Sequence, residues 1–160
     1  NFAAKVATAI VREREKAPFE TTLQLSEFIK RVIGGKPTPK HKATRCFQAL
    51  RIAVNGELDE LKKALESSID VLADDGRLCV ISFHSLEDRI VKTFIKDKSQ
   101  GQKIPNGLPI TFEEAEKMRL ATAKVEPVGG AIKATPEEIA ANVRSRSATL
   151  RICKRLKRLP

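Results

Sequence analysis

Residues 77–89 read RLCVISFHSLEDR. The apolar run 77–81 follows the helix stop Asp74-Asp75-Gly76 and predicts a short interior strand of a parallel sheet. Ser85 is expected to cap the next helix, with Asp88 three residues later as its capping-box partner. That helix would bury an apolar stripe formed by Ile90, Val91, Phe94 and Ile95. The stretch therefore predicts a strand, a tight turn and a helix.

Polar and ionisable side chains follow the predicted strand directly. His84, Ser85 and Asp88 lie in the turn, and open α/β sheets place their chemistry at the carboxyl ends of strands. A hydrolase triad is disfavoured, because neighbours within one turn point in different directions. Ser85 and Asp88 are either helix caps or cleft residues, and His84 is either a hydrogen-bonded structural histidine or a substrate contact. Strand alternation predicts that Phe83 is buried.

Helical patterns flank this stretch on both sides. Capping residues, glycine stops and apolar periodicity mark the boundaries of each element. The predicted elements are helices over 2–15, 21–33 and 47–72 (divided at Gly56), the strand and helix above, a loop over 96–109, a helix over 111–120, an ambiguous segment over 125–133, a helix from 135 and a strand over 147–153. Strands among helices indicate an α/β protein.

The bulk composition is that of a globular protein. The 160 residues are 41% hydrophobic and 31% charged, which is enough for one domain, or one and a piece. No apolar run reaches the ~20 residues of a membrane helix, and the start lacks the order of a signal peptide, so we expect a cytoplasmic protein. Cysteine and histidine spacings fit no metal site, and we expect packed free thiols at Cys46, Cys79 and Cys153.

The formal net charge of +10 favours a polyanionic partner. Arg45 and Arg51 lie six residues apart on a predicted helix, and Arg144 and Arg146 precede the last predicted strand. Guanidinium groups bind phosphates or donate two parallel hydrogen bonds to the edge of a base. The alternative for each of these arginines is a solvated or salt-bridged surface position.

Three segments, 82–89, 44–55 and 142–147, resemble the MraW (RsmH) family, in order and over nearly the whole chain. Val143 departs from the family pattern, which has proline there. Members of this family are S-adenosylmethionine-dependent methyltransferases that modify the exocyclic amine (N4) of a cytidine in small-subunit ribosomal RNA. The resemblance therefore implies this activity, with S-adenosylmethionine as cofactor and ribosomal RNA or the assembled small subunit as partner.

Members of the family begin with a glycine-rich strand-to-helix turn and acidic strand ends that hold the cofactor. None of the eight glycines here forms a GxGxxG-like loop. We therefore expect a carboxyl-terminal fragment, inactive alone, whose cofactor site lies upstream of Asn1. Residues 1–55 would be the remainder of an inserted helical domain that helps recognise RNA. Residues 56–160 would be the later half of a Rossmann-like methyltransferase domain.

The resemblance also implies roles for the residues singled out above. His84, Ser85 and Asp88 are expected to shape the catalytic cleft, and the expected RNA contacts are Arg45, Arg51, Arg144 and Arg146. One alternative is a non-catalytic RNA-binding or ribosome-assembly module without a cofactor site. Another is a methyltransferase of a different polyanion. The sequence leaves the oligomeric state and the choice of cytidine open.

Overall fold

The computed structural model describes residues 2–36, 41–101 and 110–157. They fall into two compact units, Asn1–Glu57 and Leu58–Pro160. Most of the predicted loop over 96–109 lies outside the described residues.

The first unit is helical. It contains α1 (Phe2–Arg14), α2 (Thr22–Ile33) and α3 (Thr44–Asn55), which confirms the first two predicted helices to within a residue or two. Thr21 caps α2: its hydroxyl accepts the Gln24 N–H at 3.2 Å, and the Gln24 side-chain oxygen accepts the Thr21 N–H at 3.2 Å. The core of the unit is formed by Val6, Ile29 and Ala43.

The far half of α3 differs from the prediction. The apolar periodicity that predicts a helix from residue 47 includes Leu50 and Val54 and so predicts that they are buried, but these side chains are 44% and 82% exposed. Only the start of α3, around Cys46 and Phe47, packs on the core of the first unit, so the later apolar residues have no described cover. Gly56 ends α3 with a left-handed φ of 63° and donates its N–H to the Ile52 carbonyl, which confirms the predicted division.

The second unit combines a small sheet with helices. Its helices are α4 (Glu57–Val71, starting at the unit boundary), α5 (Ser85–Gln100), α6 (Phe112–Thr122), α7 (Pro136–Ala141) and a 3-10 helix (Val143–Ser147). Its strands are β1 (Arg77–Ser82), β2 (Val125–Pro127), β3 (Ile132–Lys133) and β4 (Thr149–Arg155). The segment 125–133, which the sequence left ambiguous, is thus two short strands with a turn.

The sheet is organised around β4. β1, β2 and β3 each pair with β4, and every pairing is antiparallel. The predicted parallel pairing of β1 is therefore not seen: β4 runs back along β1 with Thr149 opposite Ser82, and no strand of the described ranges pairs with the second edge of β1. The architecture is mixed helix and sheet, consistent with an α/β methyltransferase.

Helices cover one face of this sheet. The core joins α4, α5 and the strands through Leu65, Ile69, Val91, Phe94, Ile95, Val125 and Cys153, and Leu78 and Val80 of β1 pack against it. Alternation turns Cys79 and Ile81 to the other face, where both are exposed. Burial of the thiols as predicted therefore holds for Cys153 but is wrong for Cys79, although all three cysteines are free.

The helices in the described ranges include none long and apolar enough to cross a membrane.

Candidate functional site

The turn between β1 and α5 is held by a side chain that accepts backbone hydrogen bonds. His84 occupies the N-cap position with extended φ and ψ of −141° and 161°, and its Nδ1 accepts the Glu87 N–H at 3.4 Å. The Glu87 carboxylate in turn accepts the N–H groups of Phe83 at 2.9 Å and His84 at 3.2 Å. Three backbone N–H groups and two side chains are thereby fixed around the end of the strand.

This cap begins one residue earlier than predicted. Ser85 is the first residue of α5 and is exposed, and Asp88 does not reach back to the cap. The physical reason is that Glu87, not Asp88, stands three residues after the cap, and its longer side chain spans the distance. The predicted burial of Phe83 is also wrong: Phe83 is 56% exposed, because the alternation of β1 places it on the same uncovered side as the exposed Cys79 and Ile81.

The second ring nitrogen of His84 has no aligned partner. Because Nδ1 accepts a hydrogen bond, the neutral ring carries its proton on Nε2. Nε2 is buried and lies 3.2 Å from Glu87 Oε1, yet it makes no hydrogen bond in the described part of the chain. A buried donor without an aligned acceptor costs free energy. Such a group at the end of a strand marks the turn as a candidate site.

Asp88 is committed to Arg151 of β4. Its Oδ1 lies 2.8 Å from Arg151 Nε and its Oδ2 3.0 Å from Nη2. These hydrogen bonds hold the pKa of Asp88 below its ordinary value and raise the pKa of Arg151. Both carboxylate oxygens are engaged, so Asp88 anchors the start of α5 to the sheet. The sequence analysis does not single out Arg151, because residues this far apart carry no local signal of pairing.

The three turn residues do not form a triad. Within the described ranges His84 bonds to Glu87, Asp88 bonds to Arg151, and Ser85 is exposed at the first helical position. Among these three residues no nucleophile, base and orienting group are in contact, so the turn does not hold a hydrolase triad.

The basic 3-10 helix lies at the same end of the strands as the His84 turn. Ser82, the last residue of β1, is opposite Thr149, the first residue of β4, and its hydroxyl donates to the Thr149 carbonyl at 3.3 Å. The 3-10 helix immediately precedes Thr149 and carries Arg144 and Arg146, both exposed. The structure therefore brings these two arginines and His84 to the same end of the sheet.

The turn that presents these arginines forms despite Val143. Asn142 Oδ1 accepts the Arg144 N–H at 3.1 Å, and the Ser145 hydroxyl donates to the Asn142 carbonyl at 2.8 Å. Ser145 is buried, and Val143 is 69% exposed. Capping by Asn142 thus fixes the local geometry without a proline.

Arg45 and Arg51 belong to α3 in the first unit, and their environments differ. Arg51 makes a two-point pair with Glu57, Nε to Oε1 at 2.8 Å and Nη2 to Oε2 at 3.0 Å. The Asn55 amide donates to the same carboxylate at 3.0 Å. Arg45 is exposed and has no ion pair with a described residue. Only Arg45 of the two presents an uncompensated charge.

A comparison with protein families decides the relationship. The model of the MraW methylase family matches residues 1–156. The chain belongs to the MraW methylase family. Proteins named ribosomal RNA small subunit methyltransferase H, from Shewanella halifaxensis and Idiomarina loihiensis, are 53% and 51% identical over 94% and 98% of this chain. The aligned regions cover 47% and 48% of those relatives, so the chain spans about half the length of the relatives it matches.

MraW methylases depend on S-adenosylmethionine, and the strand-to-helix turns of the described residues do not fit a site for it. Helix N-termini that hold anionic or polar cofactor groups must keep their N–H groups free. The two turns that lead from a described strand into a helix are capped by the chain itself, one by His84 and Glu87, the other by Thr135, whose hydroxyl accepts the Glu138 N–H at 3.2 Å.

Proposed function

We propose that the complete gene product carrying this chain transfers a methyl group from S-adenosylmethionine to N4 of a cytidine in small-subunit ribosomal RNA, in the cytoplasm. The observation that carries the proposal is membership of the MraW methylase family across residues 1–156. Relatives about half identical to the chain are named ribosomal RNA small subunit methyltransferase H.

In this proposal the described residues hold and orient the RNA. The end of the sheet that carries His84 borders the target base, and the Asp88–Arg151 pair fixes α5, which follows it. Arg144, Arg146 and Arg45 contact phosphates, which position RNA without reading its sequence. Positioning matters because an amine conjugated with its ring reacts only when it is held in line with the methyl donor. Arg51 also contacts a phosphate, once its ion pair with Glu57 has opened.

The cofactor site is proposed to lie outside the described residues. Two features support this arrangement. The second edge of β1 has no described partner strand, and the sheet face with Cys79 and Ile81 is exposed. We propose that further strands and helices complete a Rossmann-like domain there, with residues 56–160 as its later half and residues 1–55 as part of a helical RNA-recognition insertion.

A transfer assay tests the proposal. The complete gene product is incubated with radiolabelled S-adenosylmethionine and small ribosomal subunits that lack the modification, and separately with the corresponding free RNA and with DNA. We expect label in small-subunit RNA, and loss of most label for His84→Ala when it is assayed well below its own melting temperature. Label in DNA but not in ribosomal RNA would contradict the proposed substrate.

A non-catalytic RNA-binding module is the second candidate, favoured by the self-capped helix starts. Calorimetric titration of the complete gene product with S-adenosylmethionine separates the two. Micromolar binding is expected for the enzyme. RNA binding without cofactor binding would establish the module instead. The 160-residue chain, titrated in parallel, is expected to bind no cofactor.

A further inference from the structure

A cavity of about 250 Å³ lies in the second unit between α5 and the turn that joins β2 to β3. One wall is formed by Lys92 and Lys96, four residues apart and therefore on the same face of α5. Arg151 and the Gly129-Gly130 turn line it from the side of the strands. The cavity belongs to neither the His84 turn nor the 3-10 helix.

The charge around the cavity is strongly unbalanced. Its lining includes Lys92, Lys96 and Arg151 but no acidic residue. Asp88 is bonded to Arg151, and the charges of Arg151, Lys133 and Lys92 together hold its pKa below the ordinary value. Asp88 thus compensates Arg151, and the lining adds the two further cations Lys92 and Lys96.

The two lysines hold their charges unpaired. Within the described ranges neither Lys92 nor Lys96 forms an ion pair, whereas Lys98 on another face of the same helix lies 2.7 Å from Glu66. An uncompensated pair of cations at a concave surface raises the local potential and favours an anion.

The strand side of the cavity is bare backbone. Gly129 has a φ of 68°, which favours glycine, but Gly130 does not have a positive φ. A Cβ built at Gly130 meets no atom within 4 Å. Packing therefore does not require glycine at this position, and its absent side chain leaves room for a ligand to approach the main chain.

We propose that this cavity binds a phosphate of the RNA backbone, held by Lys92 and Lys96. The inference rests on the proposed function, because it takes RNA as the substrate. Lys92 lies seven residues beyond the start of α5, roughly 10 Å along the helix axis from the His84 turn. A phosphate bound in the cavity fixes the position of the RNA strand along α5, and with it the base that reaches the His84 turn.

Paired substitution tests the site. The complete gene product is prepared as wild type, as Lys92→Gln/Lys96→Gln, and as the control Lys62→Gln/Lys63→Gln. The control removes the same charge from exposed positions of α4 that pair with Asp59 and Glu60 at 2.8 Å. Binding to transcribed small-subunit ribosomal RNA is measured by filter retention across a salt series, with melting temperatures recorded for each protein.

The expected result is specific to the cavity. Lys92→Gln/Lys96→Gln should weaken binding roughly tenfold or more and reduce the magnitude of the slope of log K against log salt by about 0.7 to 0.9, as expected for one lost phosphate contact. The control should shift the slope by less than about half of that. Both melting temperatures should match wild type.

The failures of the two proposals are distinguishable. If wild type binds RNA and both double variants bind equally well, the phosphate site is wrong while the proposed function stands. If wild type does not bind the RNA at any salt concentration, the proposed function and the site fall together.

Discussion

Asp88 and Arg151 are 63 residues apart in sequence and form a two-point ion pair, with oxygen to nitrogen distances of 2.8 and 3.0 Å. The pair joins the first turn of α5 to the middle of β4. Both side chains are mostly buried, at 26% and 19% exposure. It thereby holds the helix whose start carries His84.

Breaking this pair should destabilise the protein. In Asp88→Asn the Arg151 guanidinium loses a charged partner, and charge-assisted hydrogen bonds contribute roughly 1.5–3 kcal/mol. We expect a loss in the free energy of unfolding of this order, measured by urea denaturation followed by circular dichroism. Lys63→Gln, at an exposed and solvent-screened ion pair, should change the free energy of unfolding much less. Equal effects of the two variants would contradict a special role for Asp88.

The contribution of the pair should depend on pH in one direction. The pKa of Asp88 is lower in the folded protein, so its stabilisation is complete above the pKa of an ordinary aspartate. This stabilisation is lost as the pH falls toward the pKa of Asp88 in the folded protein, because protonation of the carboxylate then breaks its ion pair with Arg151. The stability difference between wild type and Asp88→Asn should therefore be constant near neutral pH and shrink in acid. A difference that grows in acid would contradict this linkage.

Substitutions at the helix start should distinguish the observed cap from the predicted one. Glu87→Ala removes the acceptor for two backbone N–H groups and should cost about 1 kcal/mol. Ser85→Ala removes an exposed hydroxyl and should change the free energy of unfolding by less than about 0.5 kcal/mol. Thermal and urea denaturation of both variants check the difference. A larger cost for Ser85→Ala would restore the cap predicted from sequence.

The arginines should differ in their contribution to RNA binding. Arg144→Gln and Arg146→Gln remove exposed charges that form no ion pair with a described residue, so each should reduce the salt slope of RNA binding by about 0.7 to 0.9. Arg51→Gln should reduce it less, since Glu57 already compensates that guanidinium. Salt-dependent filter binding measures all three. A larger change for Arg51 than for Arg144 would show that the Glu57 pair does not persist in solution.

Local sequence patterns predicted the helices and strands better than the contacts between them. Apolar periodicity found α1, α2, β1 and α5, because each of these signals lies within one element. The cap at His84 was missed by one residue, since histidine is an uncommon cap and both Glu87 and Asp88 follow it.

Contacts between distant elements were outside the reach of sequence patterns. The antiparallel partner of β1 and the pairing of Asp88 with Arg151 depend on how β4 returns along the sheet, which no local spacing encodes. The exposure of Leu50 and Val54 has a similar origin: periodicity predicts an apolar face but does not say what covers it.

The nucleosides of small-subunit ribosomal RNA provide the most direct test of the proposed activity. Liquid chromatography with mass spectrometry is applied to RNA from cells without the gene, from cells supplied with the complete gene product, and from cells supplied with its His84→Ala variant. The account predicts that N4-methylated cytidine at one position is lost without the gene, restored by wild type and not restored by the variant. Unchanged N4 methylation in cells lacking the gene would contradict it.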